Sequence, residues 1–243
     1  MLSNRPEVKE VAGRHKRSVY SSVSGLTDEE RFRLVKKHNS LRSLEAASDM
    51  MLLKWSKDLE KSAQSHANLC ILQPSTRRDV GPADEHLGEN VYAVPHSLDL
   101  EEFVQTLYEE RSHFNFKNVS CLGSGECGHY TQIVWSSSKY LGCGVKYCPH
   151  LLGDQHSPSG YLVVCHYRPR GNYIGVEPFK RGPVCSSCPK ETKYCVRGLC
   201  AYRPVIGSMS PKYHMSCQFY GVDIFWWIVV LRLMINKFYV IYN

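Results

Sequence analysis

Apolar and polar positions recur along this chain with two different periods, and the switches between them mark its elements. Thr27 with Glu30 three residues on is a capping box, and behind it Leu34, His38 and Leu41 share one helical face. This pattern predicts a first helix running to about Leu44, with His38 on its inner face. A second helix is expected from Ser56 to Cys70, where Leu59, Ala63, Ala67 and Cys70 fall on one side. The small alanines there allow the helix to sit close to a sheet. Residues 71–87 are rich in Pro, Gly and charge and read as a loop. HLGENVYAV then gives a turn at Gly88 and a short strand over residues 91–94. Asp99 with Glu102 repeats the capping box and opens a third helix to about Phe114.

After residue 127 the period shortens. Gly128 starts a short helix whose apolar body is Ile133, Val134 and Trp135. Two β-rich runs come next, LGCGVKYC at 141–148 and YLVVCHYRP at 161–169, read as antiparallel strands joined by a Gly/Ser/Pro loop. An extended linker then leads to CSSCPKETKYCVRGLC, a four-cysteine knot too small to have a core of its own. Beyond Cys200 the character changes. Residues 224–231 form a bare apolar run of eight, but Arg232, Asn236 and Lys237 interrupt the stretch after it. It is therefore too short for an unbroken membrane span.

The cysteines set the compartment. Ten of the eleven lie between Cys70 and Cys200, an even number suited to a disulfide framework. Four thiolates on zinc at Cys185, Cys188, Cys195 and Cys200 is the rival, but its 188-to-195 spacing is short for a zinc ribbon. The other half-cystines also argue for an oxidising compartment. Asn118-Val119-Ser120 is an N-glycosylation acceptor, meaningful in a secreted chain. Residues 1–25 hold no apolar run that could serve as a signal-peptide core, so a missing start or an unusual export route is expected. Within them Arg14-His15-Lys16-Arg17 reads either as a furin-type cleavage site or as a solvated basic run. Net charge is +7, and setting aside the five basic and two acidic residues of positions 1–17 leaves +4. That is too little to argue for nucleic acid.

One position breaks the third helix's pattern. Phe103, Leu107, Glu110 and Phe114 recur at helical steps, so Glu110 lies on the apolar stripe. An inward carboxylate must be paired, protonated or water-linked. Its candidate partners are Glu89 and His129, and the three together predict a cleft suited to acid/base work or a divalent metal. A buried network that fixes the turns is the alternative. There is no G-x-S-x-G elbow and no H-E-x-x-H, and Ser136, Ser137 and Ser138 read as an ordinary helix ending.

GHYTQIVW and CHYRPRGNY, with HNSLR in the first helix, resemble the signature stretches of the CAP superfamily of cysteine-rich secretory, antigen 5 and pathogenesis-related proteins. The resemblance runs from about Leu26 to Cys200 and is nearest to the peptidase inhibitor 16-like members. It implies an α+β fold, a three-layer α-β-α sandwich with a small disulfide-knotted extension. The corresponding division is an arm at 1–25, the CAP domain at 26–175, a hinge-like knot at 176–200 and an apolar tail at 201–243, either a membrane anchor or a gene-model artefact. It implies the pairs Cys70–Cys148, Cys143–Cys165, Cys121–Cys127, Cys185–Cys195 and Cys188–Cys200. Members commonly line a central cavity with two His and two Glu, and Glu89, Glu110 and His129 fall on three of those positions. The fourth is Pro74, which has no ligating atom, and His86 in the neighbouring loop is the candidate substitute. The Trp often found before the third-helix Glu is Leu107. No cofactor is therefore expected beyond a weakly held divalent metal.

The function implied is a secreted, non-enzymatic protein that binds an extracellular protein, such as a protease, or a lipid or sterol. An extracellular peptidase or other hydrolase using the Glu/His cleft is the alternative. Channel blocking, linked to relatives with a further cysteine-rich module, is set aside because only Cys217 follows Cys200. Membrane contact is expected only through the 224–242 tail.

Overall fold

The computed structural model describes residues 25–74, 87–153 and 159–203. The basic arm up to residue 24, His86, Cys217 and the apolar tail lie outside the described residues. Helix α1 spans Asp28–Arg42, and Thr27 and Glu30 close the capping box at its start. It stops short of Leu44, which is exposed. Strand β1 (Lys54–Trp55) precedes α2 (Lys57–Ala67), capped by Ser56. The second helix ends at Ala67, with Asn68 as its cap, rather than at Cys70. Cys70 leaves the helix in the left-handed region (φ 55°) and turns toward Cys148.

The strand after the loop is longer than its sequence suggests. β2 runs Gly88–Val94, and Gly88 pairs with Tyr167 instead of making a turn. Glycine is required there for a different reason: a Cβ would run into the Gln132 side chain. Helix α3 is Leu100–Glu109, followed by a tighter turn at Glu110–His113 and the short pair β3 (Phe114–Asn115) and β4 (Ser120–Cys121). Phe114 is thus strand, not helix. α4 is Gly128–Ile133, and β5 (Tyr140–Cys148) and β6 (Gly160–Arg168) form the long antiparallel pair, with Cys143 opposite Cys165. β7 (Tyr194–Val196) and β8 (Leu199–Ala201) form a hairpin.

The central sheet has the order β1-β5-β6-β2. Side chains alternate across it. Leu162 and Val164 face Ala63 and Ala67 of α2, whereas Val163, Cys165 and Tyr167 join the larger cluster with Leu34, Leu107 and Tyr130. The result is a three-layer α-β-α sandwich. Gly142 and Gly144 of β5 make the α2 side possible, since a Cβ on either would collide with the helix backbone at Leu59–Glu60 or Ala63–Gln64. Five disulfides join Cys70–Cys148, Cys121–Cys127, Cys143–Cys165, Cys185–Cys195 and Cys188–Cys200. The four cysteines of the rival zinc ribbon are all bonded in this way. Backbone hydrogen bonds from Cys200 to Met50 and from Leu52 to Cys200 tie the last hairpin to the segment after α1. Among the described residues no helix is long and apolar enough to cross a membrane.

Arg42 is the largest side chain fully buried in this core. Its guanidinium donates to the carbonyls of Met51, Ile133, Trp135 and Ser138 at 2.6–3.2 Å, closing the end of α4 and the loop after it. Burial lowers its pKa to about 9, with only partial relief from Tyr167 and Asp49. Five N–H donors in a rigid fork suit this task better than an ammonium would.

Candidate functional site

Glu110 occupies the first position of the tight turn after α3, and His129 lies in the first turn of α4. His129 Nδ1 is 2.6 Å from Glu110 Oε1, while Glu110 Oε2 accepts the backbone N–H groups of His129 (3.0 Å) and Tyr130 (3.3 Å). The carboxylate therefore does two jobs. It pairs with the imidazole and satisfies two N–H groups that α4 leaves without helical partners. This explains why α3 tightens where it does. Burial opposes charging His129, but the Glu110 hydrogen bond and charge, the Glu126 charge and a hydrogen bond to the Val91 backbone outweigh it, and the pKa is raised. Tyr92 presents its ring edgewise to the imidazole, centroids 6.0 Å apart.

Behind His129 lies a buried relay. Asn90 Nδ2 donates to the His129 carbonyl (3.1 Å) and to the Tyr167 hydroxyl (3.2 Å). Tyr167 Oη lies 2.9 Å from His38 Nε2, and His38 Nδ1 lies 2.8 Å from the Leu34 carbonyl. A carbonyl can only accept, so Nδ1 carries the proton and Nε2 accepts from tyrosine. Burial lowers the His38 pKa to about 4, with the Leu34 bond opposing and the Arg42 charge assisting. A neighbouring buried carboxylate, Glu45, accepts from Tyr108 (2.7 Å) and Tyr130 (3.3 Å) and meets Arg111 at 3.2 Å. Burial, with the Glu45 charge, raises the pKa of both tyrosines.

Glu89 does not join Glu110 and His129. Gly88 faces α4 and strand alternation sends Glu89 to the opposite side, where its Oε1 lies 2.9 Å from both His66 Nδ1 and His166 Nε2. The single cleft expected for the three residues is thus divided between two faces of the sheet. Pro74 is exposed, and His86 is outside the described residues. The carboxylates near His129 are Glu110 and Glu126, a group close enough to hold a cation, with Glu126 exposed. Leu107 is buried in the core, not on a pocket rim.

The remaining chemistry is committed elsewhere. Ser136 Oγ donates to Asp49 and Ser138 Oγ to the Pro169 carbonyl. All ten described cysteines are in disulfides. A small cleft of about 180 Å³ is lined by Leu87, Gly88, Gln132, Arg170, Gly171 and Asn172 together with Glu89. Gln132 closes its floor by accepting the Gly171 N–H at 3.0 Å. Asn118 of the glycosylation acceptor is exposed. Sequence patterns alone do not single out Arg42, His66 or His166. For Arg42 a signal exists, since it lies one helical turn beyond His38 on the buried side of α1. His66 and His166 carried no such signal, because their meeting depends on the sheet register.

The comparisons with known proteins agree on one family. The model of the cysteine-rich secretory protein family, CAP, matches residues 35–167. Human peptidase inhibitor 16 is 34% identical over 181 residues, covering 73% of this chain but 37% of that protein. The chain thus spans little more than a third of that relative's length. Mouse GLIPR1-like protein 1 is 36% identical over 187 residues, 74% of this chain and 75% of the relative. Cysteine-rich secretory protein 2 of Cavia porcellus is 36% identical over 171 residues, 69% and 66% of the two chains. Among solved structures, Na-ASP-1 aligns with a TM-score of 0.59 at 27% identity, covering 82% of this chain and 52% of that one. NaASP2, solved with Zn2+, aligns at 0.54 and 26%, covering 74% and 98%.

Proposed function

The chain belongs to the cysteine-rich secretory protein (CAP) family, and from that premise we propose that it is a secreted, non-enzymatic binding domain for an extracellular protein. The observation that carries this reading is the internal saturation of Glu110 and His129. The carboxylate holds an imidazole and two backbone N–H groups, and the imidazole is engaged by Glu110 and by the Val91 backbone. These partners occupy the imidazole in holding the start of α4 in place. All ten described cysteines are in disulfides, and Ser136 and Ser138 are hydrogen-bonded to Asp49 and Pro169. The pair serves instead to lock α4 to α3.

Secretion is supported by the five disulfides and the exposed Asn118 acceptor. Among the described residues, the cleft of about 180 Å³ lies below the ~300–1,000 Å³ typical of small-molecule sites and gives no support to a lipid held there. Relatives named peptidase inhibitor 16 make an extracellular peptidase the first partner class to try. Residues 26–175 are taken as the binding domain and 176–200 as its appended knot. Metal on the family pattern fits poorly here. Pro74 supplies no donor and Glu89 lies on the other face of the sheet, which leaves Glu110 and His129 of the family set, and zinc there is expected to be weak.

Native mass spectrometry of the glycosylated chain secreted from cultured cells, mixed with a panel of extracellular peptidases, tests the reading. A stable complex with an intact chain is expected. Co-purifying sterol or fatty acid, with no protein complex, would replace the protein partner by a lipid. Steady cleavage of added peptides by the chain itself would overturn the non-enzymatic assignment.

A further inference from the structure

The second cluster lies on the α2 face of the sheet, away from Glu110 and His129. His66 comes from the last turn of α2, Glu89 from β2 and His166 from the adjacent β6, where it sits directly opposite Glu89 in register. Both imidazoles approach the same carboxylate oxygen at 2.9 Å, and the three candidate donor atoms all lie within 4.8 Å of one another. The side chains are 5%, 1% and 1% exposed in the order His66, Glu89, His166. His166 Nδ1 is buried without a hydrogen-bond partner. A buried carboxylate between two imidazoles is therefore held by a set whose polar capacity is not fully used.

We propose that His66, Glu89 and His166 form a binding site for a single divalent transition-metal ion of the zinc class. The donor set decides the class. Two imidazoles with one carboxylate suit zinc and its neighbours, whereas calcium and magnesium prefer all-oxygen shells. The geometry needs only small adjustment. The ion replaces the two protons now shared between Glu89 Oε1 and the rings, and the donors spread slightly to reach bond lengths of about 2.0–2.2 Å. On a neutral ring the single N–H proton moves to the other nitrogen and the proton count is unchanged, whereas a charged ring releases one proton to solvent. On His166 that nitrogen is Nδ1, which then has no acceptor. Metal-bound histidines usually donate that second N–H, and lacking the partner costs roughly 10–100-fold in affinity. The site should therefore bind in the micromolar range, below dedicated structural zinc. Bound, the ion would tie α2 to the sheet at the edge strand β2. His66 is the least buried of the three.

Calorimetric titration of the full disulfide-bonded chain with zinc chloride tests this, read with thermal unfolding and with the visible spectrum after cobalt substitution. One ion per chain is expected, with a raised midpoint of unfolding. His66→Ala and Glu89→Gln should each weaken binding by about tenfold or more, and His129→Ala should leave it unchanged. Should Glu89→Gln fail to fold, His66→Ala decides alone, since that residue lies nearest the surface. Binding that survives His66→Ala, that disappears with His129→Ala, or that is absent in the unmodified chain overturns the proposal.

Discussion

Acidification should destabilise this protein through His38, and the size of the effect is set by its surroundings. The ring is buried and fully satisfied in its neutral form, giving a proton to Leu34 and taking one from Tyr167. Protonating Nε2 would replace an acceptor with a donor against a hydroxyl, away from water and one turn from the Arg42 charge. The pKa accordingly falls from 6.5 to about 4. Because the folded value is depressed, the stability at stake is fully present above pH 6.5 and is lost as pH falls toward 4. At about 1.4 kcal/mol per pH unit, the loss between pH 7 and pH 4 is roughly 3 kcal/mol. That is a large share of a typical domain's ~5–15 kcal/mol. Urea unfolding with disulfides intact, repeated across this range, should show stability declining with a slope approaching one extra proton taken up by the unfolded chain. His38→Gln, which keeps a donor and an acceptor but cannot titrate, should flatten that slope. An NMR titration placing His38 near 6.5, or equal slopes in the two proteins, would refute the reasoning.

His129 moves the opposite way: its raised pKa gives stability that is full below the ordinary histidine value and fades as pH rises through the folded one. Glu110→Gln should therefore cost about 1.5–3 kcal/mol below pH 6.5 by urea unfolding, with the gap narrowing as pH rises above that value and through the raised folded pKa. Arg42→Met leaves four buried carbonyls without their donor and should destabilise by roughly 3–5 kcal/mol, read as a fall in the urea midpoint. Gly144→Ala forces a Cβ against the α2 backbone and should cost at least about 1–3 kcal/mol by the same measurement.

Local signals carry the chain a long way toward this fold. Capping boxes at Thr27 and Asp99 and the alanine face of α2 correspond to helices at those places, and the paired runs after residue 140 to the long antiparallel strands. The five cysteine pairs in the structure are those the resemblance implies, which spacing alone does not dictate. The features that escape local signals are set by long-range geometry. Gly88 reads as a turn because glycine usually punctuates, whereas here it makes room for Gln132. The apolar period continues the third helix to Phe114, yet Glu110 is drawn off to the α4 backbone. The family pattern groups Glu89 with Glu110. Only the pairing of β2 with β6 fixes which face it takes, and that register puts it opposite His166. A one-residue difference in register reverses every side chain in a strand, so no local rule could place it.

The inert character of the Glu110–His129 pair is tested most directly by comparing the intact chain with Glu110→Gln and His129→Ala in one peptide-library digest at neutral pH. All three should leave the library uncleaved above the buffer rate, while the two variants show lowered stability. Cleavage by the unmodified chain that either substitution abolishes, with the variant still folded, would contradict this and make the pair catalytic.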